Sequence, residues 1–258
     1  MAAPKQEKSI LVAYTLDFET GGLNCKTSAC TQIAVHATRL DTFERIGTFV
    51  RYIAPYYKKE IKGVGEKRKV LKNKYDADKP QMMDYEDKAL EYSAITMEML
   101  ECQGVEINQV AIDLLKFFED TSPKVSKNMK PFIIGQNILF DEGFLCQLFE
   151  YAGLMKELPK YIRGHEDFYG HWHPLILDTI TLGQLALCNQ ENISSYKLEL
   201  MCENLGIELD DAHDADADVS ATTNVVAVLT QRMRNSNGEG GVQIGMTKSE
   251  KTRKHFKI

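Results

Sequence analysis

The sequence predicts an α/β fold: a mixed β-sheet, antiparallel in its first part and parallel later, with helices packed on it. Three observations carry this. Residues 9–53 hold three apolar, β-branched runs joined by short links, the pattern of an antiparallel meander. From residue 93 the apolar period becomes helical, with Ile107, Val110, Ala111, Leu114, Leu115 and Phe118 on one face. Two later short apolar runs, 131–134 and 175–177, are separated by helical segments, as strands joined by crossovers are.

In order, the first strand covers residues 9–16 and leads into Asp17, and Gly21 and Gly22 supply a turn. Strands at 31–39 and 43–53 follow, linked around Asp41. Residues 55–84 are polar, lysine-rich and without clear period, which reads as an insertion; residues 154–173 read as a second one. Helices are predicted at 143–151, 179–187, 197–205 and 215–233. The segment NSNGEGG at 235–241 is a flexible linker into a basic tail. The expected organisation is one domain over 1–234, with insertions at about 55–88 and 155–173, and a flexible tail over 235–258.

Hydrophobic residues make up 43% of the 258, enough for a sizeable core. No apolar run approaches the length of a bilayer span, and no apolar stretch of signal-peptide length follows the N-terminus. A cytoplasmic protein without a membrane partner is expected. The six cysteines form no CxxC pair, and Cys146 and Cys202 fall in apolar helical patterns, which suits reduced, buried thiols. The net charge of −6 argues against a protein that coats nucleic acid non-specifically. Charge is uneven, however. Residues 58–79 carry nine lysines and arginines against four acids, and 248–257 are basic too. The rest is strongly acidic, which suits carboxylates gathered around cations. The basic stretch, with Lys67, Arg68 and Lys69 at its centre, reads either as an arm for a phosphate backbone or as a solvated loop.

Three segments carry chemistry. In Asp17-Phe18-Glu19-Thr20-Gly21-Gly22, strand alternation points Asp17 and Glu19 the same way. Two carboxylates side by side next to a core repel each other unless protons or cations compensate; hard divalent ions prefer such oxygen ligands. A solvated strand end is the alternative. In Asn137-Ile138-Leu139-Phe140-Asp141, Asp141 opens a helix and by itself reads as an N-cap. The third segment is His213-Asp214-Ala215-Asp216-Ala217-Asp218. A calcium loop counted from Asp214 would need Gly at Val219 and Glu at Val225, so an EF-hand is excluded. On a helix Asp214 and Asp218 share a face and Asp216 turns away. His213 can take a proton near neutral pH.

In order and spacing these segments resemble the DEDDh exonucleases, the family that includes DnaQ-like proofreading subunits such as the epsilon subunit of bacterial DNA polymerase III. Further matches are ITMEML at 95–100 followed by Gly104, Leu177-Asp178-Thr179, and SYKLELMC at 195–202 with Leu205-Gly206-Ile207. The resemblance covers residues 9 to about 233 apart from the insertions.

It implies a ribonuclease H-like five-stranded sheet and metal-dependent 3′→5′ hydrolysis of terminal phosphodiesters to nucleoside 5′-monophosphates. Two divalent cations, Mg²⁺ or Mn²⁺, would be held by Asp17, Glu19, Asp141 and Asp218, one activating water and one stabilising the leaving oxygen. His213, at the family's H-x4-D spacing from Asp218, would be the general base. Asp214 would then be a helix-start acid, Asp216 a surface residue, and Asp178 a helix-start residue. Thr20, Leu23 and Asn137 match places that hold the terminal nucleotide. Many relatives have Thr-Thr-Gly where this chain has Thr20-Gly21-Gly22, so the contact at Gly21 differs.

The expected substrate is single-stranded or frayed DNA, with a proofreading role and a polymerase or clamp partner as extensions. RNA 3′-end trimming is the alternative, and an inactive nucleic-acid-binding module is a third reading. Gln243-Ile244-Gly245-Met246 resembles the start of a clamp-binding peptide without its usual aromatics. His165, His171 and His173 lack cysteine partners, which argues against zinc.

Overall fold

The first strand runs further than its apolar residues suggest: β1 (Val12–Thr20) continues through the acidic pair. The structure, a computed structural model, describes residues 11–59, 80–123, 129–191, 193–209 and 214–235. The lysine-rich stretch at 60–79, His213 and the tail from 236 lie outside the described residues.

Strand β1 pairs antiparallel with β2 (Cys30–Arg39), and β2 with β3 (Arg45–Tyr52). Helices α1 (Asp87–Tyr92), α2 (Met97–Gln103) and α3 (Ile107–Thr121) lead to β4 (Phe132–Gly135), which is parallel to β1. After α4 (Leu139–Ala152) and the short α5 (Leu158–Tyr161), a hairpin of β5 (Gly164–Glu166) and β6 (Trp172–Pro174) precedes β7 (Ile176–Asp178), parallel to β4. Helices α6 (Thr179–Leu187), α7 (Leu198–Leu205) and α8 (Ala215–Asn235) follow. The five-stranded order β3-β2-β1-β4-β7 is a mixed sheet, antiparallel then parallel, flanked by helices. It is ribonuclease H-like.

The alternation of β1 divides the core. Val12, Tyr14, Leu16 and Phe18 face one side, packed with Val110, Leu114 and Phe118 of α3 and with Phe144 and Leu148 of α4. Ala13 faces the other, with Ile134 and with Leu182, Met201, Val225 and Leu229 of α6, α7 and α8. Both faces of β1 are therefore buried, which is why its sequence reads as a continuous apolar run. Asp17 and Glu19 extend the Ala13 face toward the carboxyl end of the strand.

Three details add to the sequence reading. Helix α1 begins at the end of the stretch assigned to the first insertion and runs past it; Leu90 is its one buried residue, too little for a visible period. Helix α4 begins at Leu139, four residues before its apolar period becomes clear. Residues 154–173 are ordered into α5 and the β5–β6 hairpin. At the first insertion, Tyr57 bridges Met82 and the Lys58 amide donates to Gln81 O at 2.7 Å, so the chain leaves and re-enters at one point.

Among the described residues, no helix is long and apolar enough to cross a membrane. All six cysteines are unpaired, with Cys30 and Cys202 buried.

Candidate active site

The carboxyl ends of parallel strands β1 and β4 open on the same edge of the sheet, where β1 also borders antiparallel β2. Such a switch in strand direction leaves a crevice between the departing loops. Here it forms a cavity of about 1000 Å³, lined by Asp17, Glu19, Asp141 and Asp218 together with Leu23, Asn137 and Tyr196, among others.

Asp17 and Glu19 enter it from β1 and Asp218 from the first turns of α8. One carboxylate oxygen of each lies within 4.8 Å of those of the other two. Asp141 lines the same cavity outside this trio and is 3% exposed. Strand β4 stops pairing with β1 at Thr15, and beyond that point the Phe18 amide donates to Asp141 Oδ1 at 3.0 Å. The N-cap reading of Asp141 is thus corrected: the cap is Ile138, without a side-chain bond. Asp141 sits inside the first turn and satisfies a strand amide instead.

The three late aspartates separate by function. Asp214 caps α8: its Oδ1 accepts from the amides of Asp216 at 3.0 Å and Ala217 at 3.3 Å, as expected for a helix-start acid. Asp216, expected at the surface, keeps a side chain 43% exposed, and its Oδ1 lies 2.6 Å from Nε2 of His36, which is 1% exposed. Asp218 alone reaches the β1 acids. Asp178 caps α6, accepting from the Ile180 amide at 2.9 Å, and also accepts from the Asn137 amide at 3.2 Å.

Burial and mutual repulsion govern the electrostatics. Burial, then repulsion from Asp218 and Asp214, pushes the Asp17 carboxyl up to about 7. Burial and the neighbouring Asp17 push Glu19 up to about 8. Asp141 is also raised well above the ordinary range, by burial first and Asp17 second, against the Phe18 bond that lowers it. Ionising all four together is unfavourable unless positive charge enters. The donors are all hard carboxylate oxygens with no histidine or thiol among them, a set that fits Mg²⁺ or Mn²⁺. The first turns of α4 and α8 also bring their positive dipole ends to this point.

The remaining candidates line the cavity. Leu23 is 85% exposed at its mouth. Thr20 is buried, its hydroxyl donating to Gly22 O at 2.8 Å. Asn137 takes a left-handed backbone, φ 53°, which Asn tolerates better than most residues. The departure at Gly21 has a steric cause: an added Cβ would lie 2.5 Å from Asp84 O. His213 lies outside the described residues. Residues not anticipated as functional also line the cavity: Tyr92, Glu86 and Lys88. They come from α1 and the turn before it, a segment whose sequence carries no period.

His165, His171 and His173 sit on the β5–β6 hairpin and its turn. His173 Nδ1 lies 3.2 Å from Glu142 Oε1, and His171 Nδ1 lies 3.3 Å from Asp167 Oδ2.

No protein-family model matches the chain, and no curated protein matches it. Solved structures do. Exonuclease I of E. coli in complex with a dT13 oligonucleotide is 20% identical with a TM-score of 0.60, over 87% of this chain and 42% of that one. The zinc-bound form of the E. coli exonuclease I–single-stranded DNA complex is 22% identical, with a TM-score of 0.58 over 87% and 41%. A moderately thermophilic exonuclease I from Methylocaldum szegediense is 20% identical, with a TM-score of 0.57 over 87% and 41%. The chain spans about two fifths of the length of these proteins, and at such identity what it shares with them is the fold.

Proposed function

We propose that the chain is a metal-dependent 3′→5′ exonuclease of the DEDDh type, acting on single-stranded or frayed DNA ends and releasing nucleoside 5′-monophosphates. One observation carries this reading: Asp17, Glu19 and Asp218 converge within 4.8 Å at the head of an open cavity. Two divalent cations, Mg²⁺ or Mn²⁺, would be held by Asp17, Glu19, Asp218 and Asp141, supplying when bound an acidified water and charge stabilisation for the leaving oxygen. The protein's own part is positioning. Asp141 and the Phe18 amide hold the carboxyl end of β1 in place, and Leu23 at the mouth offers an apolar surface beside the terminal base. His213, one residue before the α8 cap, takes the proton of the attacking water in this scheme.

DNA is preferred over RNA because similar solved structures hold DNA oligonucleotides; the carboxylate site does not read a 2′-hydroxyl. A proofreading role with a polymerase or clamp partner rests on the sequence resemblance alone.

The test is digestion of matched end-labelled DNA and RNA oligonucleotides with Mg²⁺, Mn²⁺ or chelator. Stepwise shortening from the 3′ end that needs a divalent cation and disappears in Asp17→Ala and Asp218→Ala is expected, with DNA the faster substrate. Faster RNA shortening would favour the trimming alternative. Binding without cleavage would leave the inactive-module reading.

A further inference from the structure

The start of α8 rests on a row of three β2 residues. Antiparallel register sets Gln32 opposite Glu19, Ala34 opposite Asp17 and His36 opposite Thr15, and directly opposed residues share a face of the sheet. The acids of β1 therefore lie beside the row Gln32–Ala34–His36. At its centre Ala34 packs against Ala215 and Val219, all fully buried, so the helix comes close to the sheet. On either side a buried polar side chain takes one aspartate of α8. Gln32 Nε2 donates to Asp214 Oδ2 at 3.3 Å, and Gln32 Oε1 accepts from the Ala215 amide at 3.4 Å. His36 Nε2 faces Asp216 Oδ1 at 2.6 Å, and facing a carboxylate that nitrogen is the donor.

A helix turns by about 100° per residue, so side chains two apart leave on opposite flanks. Holding Asp216 against β2 sends Asp218 toward β1. A buried polar ring needs its partner in place, so the His36–Asp216 contact favours one angular setting of the helix.

We propose that His36 is a positioning residue: through Asp216 it sets the rotation of α8 and so holds Asp218 within reach of Asp17 and Glu19. This rests on the nuclease reading above and adds to it a residue from a strand that contributes no carboxylate.

Direct Mn²⁺ binding to the full chain, followed by electron paramagnetic resonance without substrate, tests it alongside thermal unfolding and DNA digestion. His36→Leu is expected to weaken Mn²⁺ binding about tenfold, the low end of the loss that follows when a ligand's supporting contacts are removed. His36→Gln, whose amide can donate from near the Nε2 position, should recover most of the affinity. Asp216→Ala, at a side chain 43% exposed, should fold whether or not His36→Leu does, and should show the same loss. Combining the two changes should cost no more than either alone. Thr96→Ala removes the cap of α2, where the hydroxyl accepts from the Met99 amide, and serves as a destabilised control that binds Mn²⁺ normally. Unchanged Mn²⁺ affinity in folded Asp216→Ala would overturn the proposal and leave the nuclease reading standing. Loss in Thr96→Ala equal to that in Asp216→Ala would reduce His36 to a stability residue. A wild-type chain that neither binds Mn²⁺ nor digests DNA would remove both.

Discussion

The Phe18 amide and the Asp141 carboxylate, 3.0 Å apart and 123 residues apart in the chain, tie the first strand to the helix after β4. Phe18 lies between Asp17 and Glu19, so this bond holds the strand at the point where both acids project. The carboxylate that completes the candidate ligand set is also a structural acceptor, and these two roles can be separated.

Asp141→Asn keeps an oxygen for the Phe18 amide and removes the charge. Because burial and Asp17 both hold the Asp141 carboxyl above the ordinary range, the substitution relieves repulsion. Expected outcomes are unchanged or raised thermal stability and loss of metal-dependent digestion. Asp141→Ala removes the acceptor as well and leaves a buried amide unpaired, costing about 1–3 kcal/mol. Denaturant unfolding of the two variants side by side checks this, and equal destabilisation of both would contradict it.

The acid pair makes metal-free stability depend on pH. Asp17 and Glu19 sit near 7 and 8 in the fold, against about 3.9 and 4.3 unfolded. Below about pH 3 both states are largely protonated and the pair has little net effect. As pH rises from 4 to 8 the unfolded chain releases these protons first, so the pair's contribution becomes increasingly unfavourable and levels off above 8. In chelator, Asp17→Asn should flatten the fall in melting temperature between pH 5 and 8. Mn²⁺ should raise the wild-type melting temperature more at pH 8 than at pH 6, since it displaces fewer protons there. A Mn²⁺ stabilisation independent of pH would count against these carboxyls as its ligands.

Much of this was legible in the residues, for physical reasons that also explain the rest. The sheet order follows from apolar runs with two buried faces, which leave a continuous pattern as in β1. The acid pair is visible because alternation acts over two residues. Taken by itself Asp141 reads as a cap because its hydrogen-bond partner, Phe18, is distant in sequence, and no local rule predicts which strand amide a helix will meet. The bond from Asp216 to His36 is invisible in the sequence because the two are 180 residues apart. The α1 contribution was lost because six residues with one buried side chain carry no measurable period. Local chemistry reads from sequence; its pairing across the fold does not.

Gly21 is held by its surroundings. Its amide donates to Ala29 O at 2.8 Å, its carbonyl accepts from the Glu86 amide at 2.8 Å, and an added Cβ would lie 2.5 Å from the backbone oxygen of Asp84. Gly21→Thr, which introduces the Thr-Thr-Gly of many DEDDh exonucleases, should therefore destabilise by about 1–3 kcal/mol instead of improving the site. Chemical denaturation measures it. A neutral effect would mean that residues 84–86 yield without cost.

Leu23 separates substrate contact from folding. At 85% exposure it contributes little to the core, so Leu23→Ala should shift stability by no more than about 0.5 kcal/mol. A leucine that packs beside a terminal base recovers part of its burial energy only with substrate bound. Losing about 1 kcal/mol of that contact lowers kcat/KM roughly fivefold. Leu185→Ala supplies the comparison, since Leu185 is 70% exposed and is not among the residues lining the cavity; it should leave kinetics unchanged. Steady-state digestion of single-stranded DNA by the two variants decides the matter. If both match the wild type, the mouth of the cavity does not grip the end nucleotide through Leu23, and Tyr92 and Tyr196 become the next side chains to truncate.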